Sequence, residues 1–243
     1  MRGAVRELID AGVQTFAVAL LWSFRNPAHE ERVGAIIREM APDAFVSLSS
    51  QVSPIIGEYE RTATTVLNSY LAPKVANYLD RIESLLRDRG FRGKFNVLNS
   101  AGGVVPSTRS GPQAVLLVAS GPAGGVMGSL QLAQEIGHTN IITTDMGGTS
   151  FDVALVVDGK PLVSGTHEVG GYHLNTPVID IRAIGAGGGS MPACRRVSCG
   201  WDPTAPAPCR VRSATAAVAS SPPSPTRTWS LAFSTRTISS VAA

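Results

Sequence analysis

Asp145-Met146-Gly147-Gly148-Thr149-Ser150-Phe151-Asp152-Val153 lies between two apolar runs, Ile141 to Asp145 and Phe151 to Val157, and reads as the turn of a strand–turn–strand unit. Paired glycines let backbone N–H groups converge on an anion with no Cβ in the way, and the hydroxyls of Thr149 and Ser150 can add donors. Asp145, at the end of the first strand, is placed to hold a hydrated Mg²⁺ or to orient a water beside phosphates. Asp152 is the second acidic candidate for the chemistry. An ordinary hairpin turn needs no more than the Gly-Gly pair. The addition of two carboxylates and two hydroxyls makes a phosphate-binding hairpin the more specific reading.

Working outward, two further glycine-rich stretches flank this unit. Ser120-Gly121-Pro122-Ala123-Gly124-Gly125 opens a helical stretch ending near Gly137, with Ser120 or Gly121 at the cap and Pro122 in the first turn. Gly121, Gly124 and Gly125 either allow close packing or present helix amides to a phosphate. Gly185-Ala186-Gly187-Gly188-Gly189-Ser190 follows the apolar strand Val178 to Ile181, and so many glycines suit a loop where backbone approaches a ligand closely. Asn99-Ser100-Ala101-Gly102-Gly103 is either a ligand loop or a turn. His167 and His173 fit no common zinc spacing, and Cys194, Cys199 and Cys209 form no C-x-x-C pair, so surface or core roles are expected for the histidines and no zinc or redox site for the cysteines.

The N-terminal half predicts β-α-β. Val13 to Leu21 reads as a buried strand, Asn26-Pro27-Ala28-His29-Glu30-Glu31 as a helix start with acidic residues in the first turn, and Phe45 to Ser49 as a second strand. Val33, Ile36, Ile37 and Met40 form the apolar face of the intervening helix. A long helical region follows, with Val66, Leu67, Tyr70, Leu71, Val75, Tyr78, Leu79, Ile82, Leu85 and Leu86 at spacings of three and four. That stripe predicts a core face, with a break or kink at Pro73 and a stop at Gly90. Strands and helices interleave, so the fold class is α/β.

Composition bounds the rest. The chain has 243 residues, 44% hydrophobic and 16% charged, enough to bury a core. The longest purely apolar run, Phe16 to Trp22, is far short of the roughly 20 residues of a membrane-spanning helix, and Met1-Arg-Gly-Ala-Val-Arg-Glu7 resembles no secretory signal. A soluble, cytoplasmic protein without membrane or nucleic-acid partners is expected. The formal charge is +3, but residues 191 to 243 hold six Arg and one Asp, hence +5, leaving −2 on the first 190 residues. Those last residues also hold all three cysteines and seven prolines, with no Lys, Glu, Asn, Gln, His or Tyr. A GC-rich gene read out of frame yields such an alphabet, and a disordered, frameshifted tail is expected over 191–243.

Taken together, Asn26-Pro-Ala-His-Glu-Glu-Arg-Val-Gly34, Ser47-Leu-Ser-Ser50 with Glu58-Tyr-Glu-Arg-Thr62, Ser120-Gly-Pro-Ala-Gly-Gly125, Asp145-Met-Gly-Gly-Thr-Ser150 and Ile184-Gly-Ala-Gly-Gly-Gly-Ser190 resemble the hydantoinase A / 5-oxoprolinase family. The resemblance covers residues 4 to 190 and stops at Ser190. It implies a fragment of an actin-like ATPase fold with ribonuclease-H-like lobes. Residues 1–60 would end the N-terminal lobe, 61–190 would form part of the ATPase domain, and the first of the family's two Asp-Gly-Gly-Thr hairpins would be missing. It further implies ATP with Mg²⁺ as cofactors, a small cyclic amide (hydantoin or 5-oxoproline type) as substrate and a hydantoinase B-type partner subunit. Ketone carboxylation, as in acetone carboxylase beta subunits, and an inactive remnant or assembly module are the alternatives. Asp145 and Asp152 would then be catalytic, with Asp145 on the metal, and Gly147, Gly148, Thr149, Ser150, Gly121, Gly124, Gly125, Gly185, Gly187, Gly188 and Gly189 would contact the nucleotide. Arg182 stands where the family commonly has His.

Overall fold

The computed structural model describes residues 1–190, 192–195 and 198–201. It divides into two compact units, one formed by Met1–Ala123 with Val163–Val178, the other by Gly124–Leu162 with the chain from Ile179 onward.

In the first unit, α1 (Arg2–Asp10) precedes β1 (Thr15–Val18), α2 (Ala28–Met40) and β2 (Phe45–Leu48). The strands pair in parallel, Thr15 with Phe45 through Val18 with Leu48, which is the expected β-α-β unit. Val5, Phe16, Val18, Ile36, Ile37 and Leu48 make its core. Gly34 brings α2 close to β2, since a Cβ there would stand 3.1 Å from a Leu48 methyl. The short α3 (Ser49–Val52) leads into α4 (Glu58–Asp88), which runs unbroken through Pro73. The expected break is absent, and Gly90, at φ +86, follows the helix end.

The packing of α4 also departs from the sequence expectation. Its buried residues are Arg61, Thr64, Thr65, Asn68, Ser69, Ala72 and Leu79. Val66, Tyr70, Tyr78 and Leu85, predicted as core, are 53%, 63%, 64% and 51% exposed. Polar contacts explain the reversal. Asn68 Nδ2 donates to Ser47 Oγ and to the Pro112 carbonyl, Ser69 Oγ donates to the Phe16 carbonyl, and Arg61 enters the buried network described below.

After α4 come β3 (Asn96–Leu98) and β4 (Val104–Pro106), an antiparallel pair, then α5 (Ser107–Ser110). The loop between the strands is a turn held by Asn99, whose Oδ1 accepts from the amides of Ala101 (3.0 Å) and Gly103 (2.9 Å). The helix α6 (Ser120–Glu135) begins one residue earlier than a Ser120 cap would allow, with Ala119 before it at φ 62.

In the second unit β5 (Ile141–Met146) and β6 (Phe151–Val157) are antiparallel, and β6 continues into the short β7 (Lys160–Pro161). The chain then contributes β8 (Val163–Ser164), β9 (His167–Val169) and β10 (Tyr172–Leu174) to the first unit. The last two form a hairpin whose Gly170 and Gly171 take φ +60 and +85, as a two-residue turn requires. The single strand expected over Val178–Ile181 is split at Asp180 into β11 (Val178–Ile179) and β12 (Ile181–Ile184), and β12 pairs with β6 to give the order β12-β6-β5.

Beyond Ser190, β13 (Pro192–Arg195) and β14 (Ser198–Trp201) form an antiparallel hairpin. These eight residues lie within the stretch expected as a disordered, frameshifted tail. The rest of the expectation for 191–243 lies outside the described residues.

Candidate functional site

The hairpin of β5 and β6 is built as the sequence predicts. Asp145 faces Asp152 directly across the ladder, and Met146 faces Phe151. The turn is closed by the Gly147 amide donating to the Ser150 carbonyl at 3.0 Å. Alternation along the strands puts the two carboxylates on the same side of the sheet as buried Ile141, Thr143, Ala154 and Val156. They prolong that side past its covered part, where Asp145 is exposed and Asp152 half-buried.

The Gly185–Ser190 loop meets this turn. Gly188 donates its amide to the Gly147 carbonyl and Gly189 to the Gly148 carbonyl, both at 2.9 Å. Ser190 fastens the loop, its Oγ accepting from the Gly187 amide at 3.0 Å and its amide donating to the Gly187 carbonyl at 2.9 Å. A Cβ at Gly187 would lie 2.7 Å from the amide nitrogens of both Thr149 and Ser150. Two motifs almost forty residues apart in sequence thus form one backbone assembly. The amides of Gly188 and Gly189 are engaged with the hairpin, so these glycines shape the turn and do not present free donors.

The hairpin's outer side is open. Gly147, Gly148 and Thr149 are exposed, and a Cβ at Gly148 or Gly185 would meet nothing within 4 Å. Among the described residues no group of three or more His, Cys, Asp or Glu could hold a metal ion, and Asp145 and Asp152 stand as an opposed pair of carboxylates. Gly121 and Gly125 stand in the first two turns of α6, where a Cβ would likewise meet nothing within 4 Å, so the close-packing alternative does not hold for them. Gly124 is half-buried beside them. Arg182 pairs with Val153 in register, on the opposite side of the sheet from the two carboxylates, and its Nε lies 3.1 Å from Asp180 Oδ1.

A second polar assembly lies in the first unit. Glu30, Ser49 and Arg61 are each fully buried. Glu30 Oε1 accepts from Ser49 Oγ at 2.6 Å and the Leu20 amide at 2.8 Å, while Oε2 accepts from the Ser50 amide at 2.8 Å. Arg61 donates from Nε to Ser49 Oγ, and through its terminal nitrogens to the carbonyls of Ile55 and Leu20 and to the Glu58 carboxylate. Burial by itself pushes the Glu30 carboxyl up, but the hydrogen bonds from Ser49, Ser50 and Leu20 outweigh it and hold it below the ordinary carboxylate range. From sequence, Glu30 is only a first-turn acidic residue and Arg61 has no assigned role. The available signal was a Glu and an Arg in otherwise unassigned motifs beside apolar helix positions.

The model of the hydantoinase/oxoprolinase family matches residues 61–221, and the model of its N-terminal region matches residues 1–41. The chain belongs to the hydantoinase/oxoprolinase family. The match continues past Ser190, where the sequence reading ended the resemblance. Caprolactamase subunit alpha of Pseudomonas jessenii is 41% identical over 191 residues, covering 79% of this chain and 27% of that protein. The yeast (Saccharomyces cerevisiae) 5-oxoprolinase is 35% identical over 193 residues, covering 79% of this chain and 15% of that one. The solved structure of the ATP-dependent caprolactamase from P. jessenii superposes with a TM-score of 0.73 at 37% identity, over 80% of this chain and 28% of that one. This hydantoinase/oxoprolinase chain therefore spans less than a third of these relatives' length, and it carries part of an actin-like ATPase-type fold. Among the described residues no helix is long and apolar enough to cross a membrane.

Proposed function

We propose that this chain is the phosphate-handling part of an ATP-dependent enzyme that activates and opens a cyclic amide of the hydantoin, lactam or 5-oxoproline type. One observation carries the reading: the Gly185–Ser190 loop is hydrogen-bonded onto the Gly147–Ser150 turn directly beside the opposed Asp145 and Asp152. Backbone N–H groups of Gly148, Thr149 and Ser150 and the hydroxyls of Thr149 and Ser150 bind phosphate oxygens, while Gly147, whose own amide closes the turn, and Gly187, Gly188 and Gly189 keep that turn in shape. Gly185 beside that turn, with Gly124 and Gly125 of the same unit, supplies further backbone toward the nucleotide. ATP, when bound, supplies the phosphoryl group that makes the amide oxygen easier to displace. Asp145 and Asp152 would hold Mg²⁺ through its waters, and positioning with charge neutralisation is what such sites contribute to phosphoryl transfer. The relatives' names describe subunits, which supports a partner of the hydantoinase B type.

A ketone substrate is the second reading, supported by the nucleotide-free acetone carboxylase structure, which superposes with a TM-score of 0.68 at 31% identity over 83% of this chain. The test is ATP hydrolysis by the purified chain, with 5-oxoproline, hydantoin and caprolactam, and then acetone with bicarbonate, as stimulants. Turnover with a cyclic amide that Asp145→Ala abolishes is the expected result, and stimulation by the ketone alone would transfer the proposal to carboxylation. Gly148→Val is expected to remove nucleotide affinity with the fold intact, because its Cβ meets no neighbour and stands where the anion would sit. Unchanged affinity would exclude this turn as the phosphate site, and wild-type binding without turnover would leave a nucleotide-binding module.

A further inference from the structure

The helix α4 reverses the usual order of polarity, since it turns Arg61, Thr64, Thr65, Asn68 and Ser69 inward and leaves Tyr59, Val66, Tyr70, Tyr78 and Leu85 each more than half exposed. Between its first half and the β9–β10 hairpin lies a groove of about 410 Å³. Its walls include Tyr59, Val66, Tyr70, Val169, Tyr172 and Leu174, and no charged residue lines it. Lys74 stands beside it with Nζ 5.1 Å from the centre of the Tyr70 ring. All these residues belong to the first unit, so the groove is a property of that unit alone.

We infer that this face is where the remainder of a hydantoinase/oxoprolinase polypeptide, the part outside the region this chain matches, packs on the first unit, with an uncharged apolar segment in the groove. The matched region makes up only 27% to 28% of the caprolactamase chain, so nearly three quarters of that polypeptide lies outside it and is available to pack on this face. Exposed apolar surface that is contiguous, rich in tyrosine and free of charge at its centre is the composition of an interface core. A small-molecule site would need convergent polar anchors, which these walls lack. A nucleic acid would need a row of cations, and Lys74 alone does not supply one.

The test compares thiol accessibility in two proteins as they exist. Tyr70→Cys in the full 243-residue chain is labelled with a maleimide, and so is a cysteine at the aligned position of full-length native caprolactamase subunit alpha. Val66→Cys serves as the second site should the first perturb folding, and peptide mapping separates the new thiol from Cys194, Cys199 and Cys209. Free labelling in the short chain and labelling at least about tenfold slower in the native relative are expected. Equal rates would overturn the inference. So would slow labelling of the short chain that speeds up on dilution, which would make a second copy the occupant, and slow labelling at every dilution, which would mean that the chain covers this face itself.

Discussion

A Cβ on Gly187 would stand 2.6 Å from the carbonyl oxygen of Gly147, so the glycine-rich loop reaches the β5–β6 turn only because position 187 has no side chain. Gly187→Ala is therefore expected to push the loop away, break the bonds from Gly188 and Gly189, and weaken binding of an ATP analogue about tenfold or more, which is about 1.4 kcal/mol. Gly128→Ala, within α6 and outside the proposed site, where the added methyl meets nothing within 4 Å, is expected to leave affinity unchanged. Titration calorimetry on both variants, with circular dichroism to check the fold, reads the difference.

Asp145 and Asp152 oppose each other across the ladder, and like charges in that arrangement destabilise a sheet. Asp152→Asn should raise the unfolding free energy in metal-free buffer by about 0.2–1 kcal/mol. On the proposed Mg²⁺ role of the pair, Mg²⁺ should stabilise the wild type, and the same change should abolish that stabilisation. Thermal melts with and without Mg²⁺ check both halves, and a destabilised variant in metal-free buffer would contradict the opposed-charge account.

Glu30 accepts from two amides and one hydroxyl with no exposure to water. Glu30→Gln replaces one accepting oxygen with a donor and should cost about 1–3 kcal/mol, since a buried amide or hydroxyl loses its acceptor. The wild-type carboxyl titrates below its ordinary range when folded, so its contribution is complete above about pH 4.3 and is lost as the pH falls through the folded value. Urea unfolding between pH 6 and pH 3 should show the gap between the two proteins narrowing toward the acid end.

His167 behaves in the opposite chemical sense. Burial holds its imidazole below the ordinary histidine range, and its Nε2 has no partner among the described residues. The unfolded chain thus takes up this proton first. Stability is complete above about pH 6.5 and declines as the pH falls toward the folded value. His167→Gln should flatten that decline, a difference that unfolding midpoints at pH 7.5 and pH 5.5 would reveal.

Local pattern made much of this fold legible. The β-α-β start follows from apolar Phe16, Val18, Ile36, Ile37 and Leu48 at strand and helix spacings, and the hairpin from glycines between two apolar runs. What escaped the sequence was non-local. The periodicity of α4 marks an apolar stripe, but which face a helix buries depends on what packs against it, and here Ser47, Phe16 and Pro112 offer polar atoms to Asn68 and Ser69. The contact of Gly187 with Gly147 needs β12 to be paired with β6 first, so no window of a dozen residues contains it. The Glu30 and Arg61 network likewise joins residues from separate elements through Ser49.

The chain passes from one unit to the other at 123/124, 162/163 and 178/179. Neither unit is therefore a continuous stretch of gene. A single peptide-bond cleavage frees neither, because the remaining passages still tie the pieces together. A stand-alone second unit would have to be made by joining residue 162 to residue 179 through a designed linker, which removes the β9–β10 hairpin. The first unit, conversely, could be closed only by splicing that hairpin onto residue 123. Insertion of a reporter domain is best tolerated inside one unit, at an exposed turn such as Gly170-Gly171, and worst at any of the three passages.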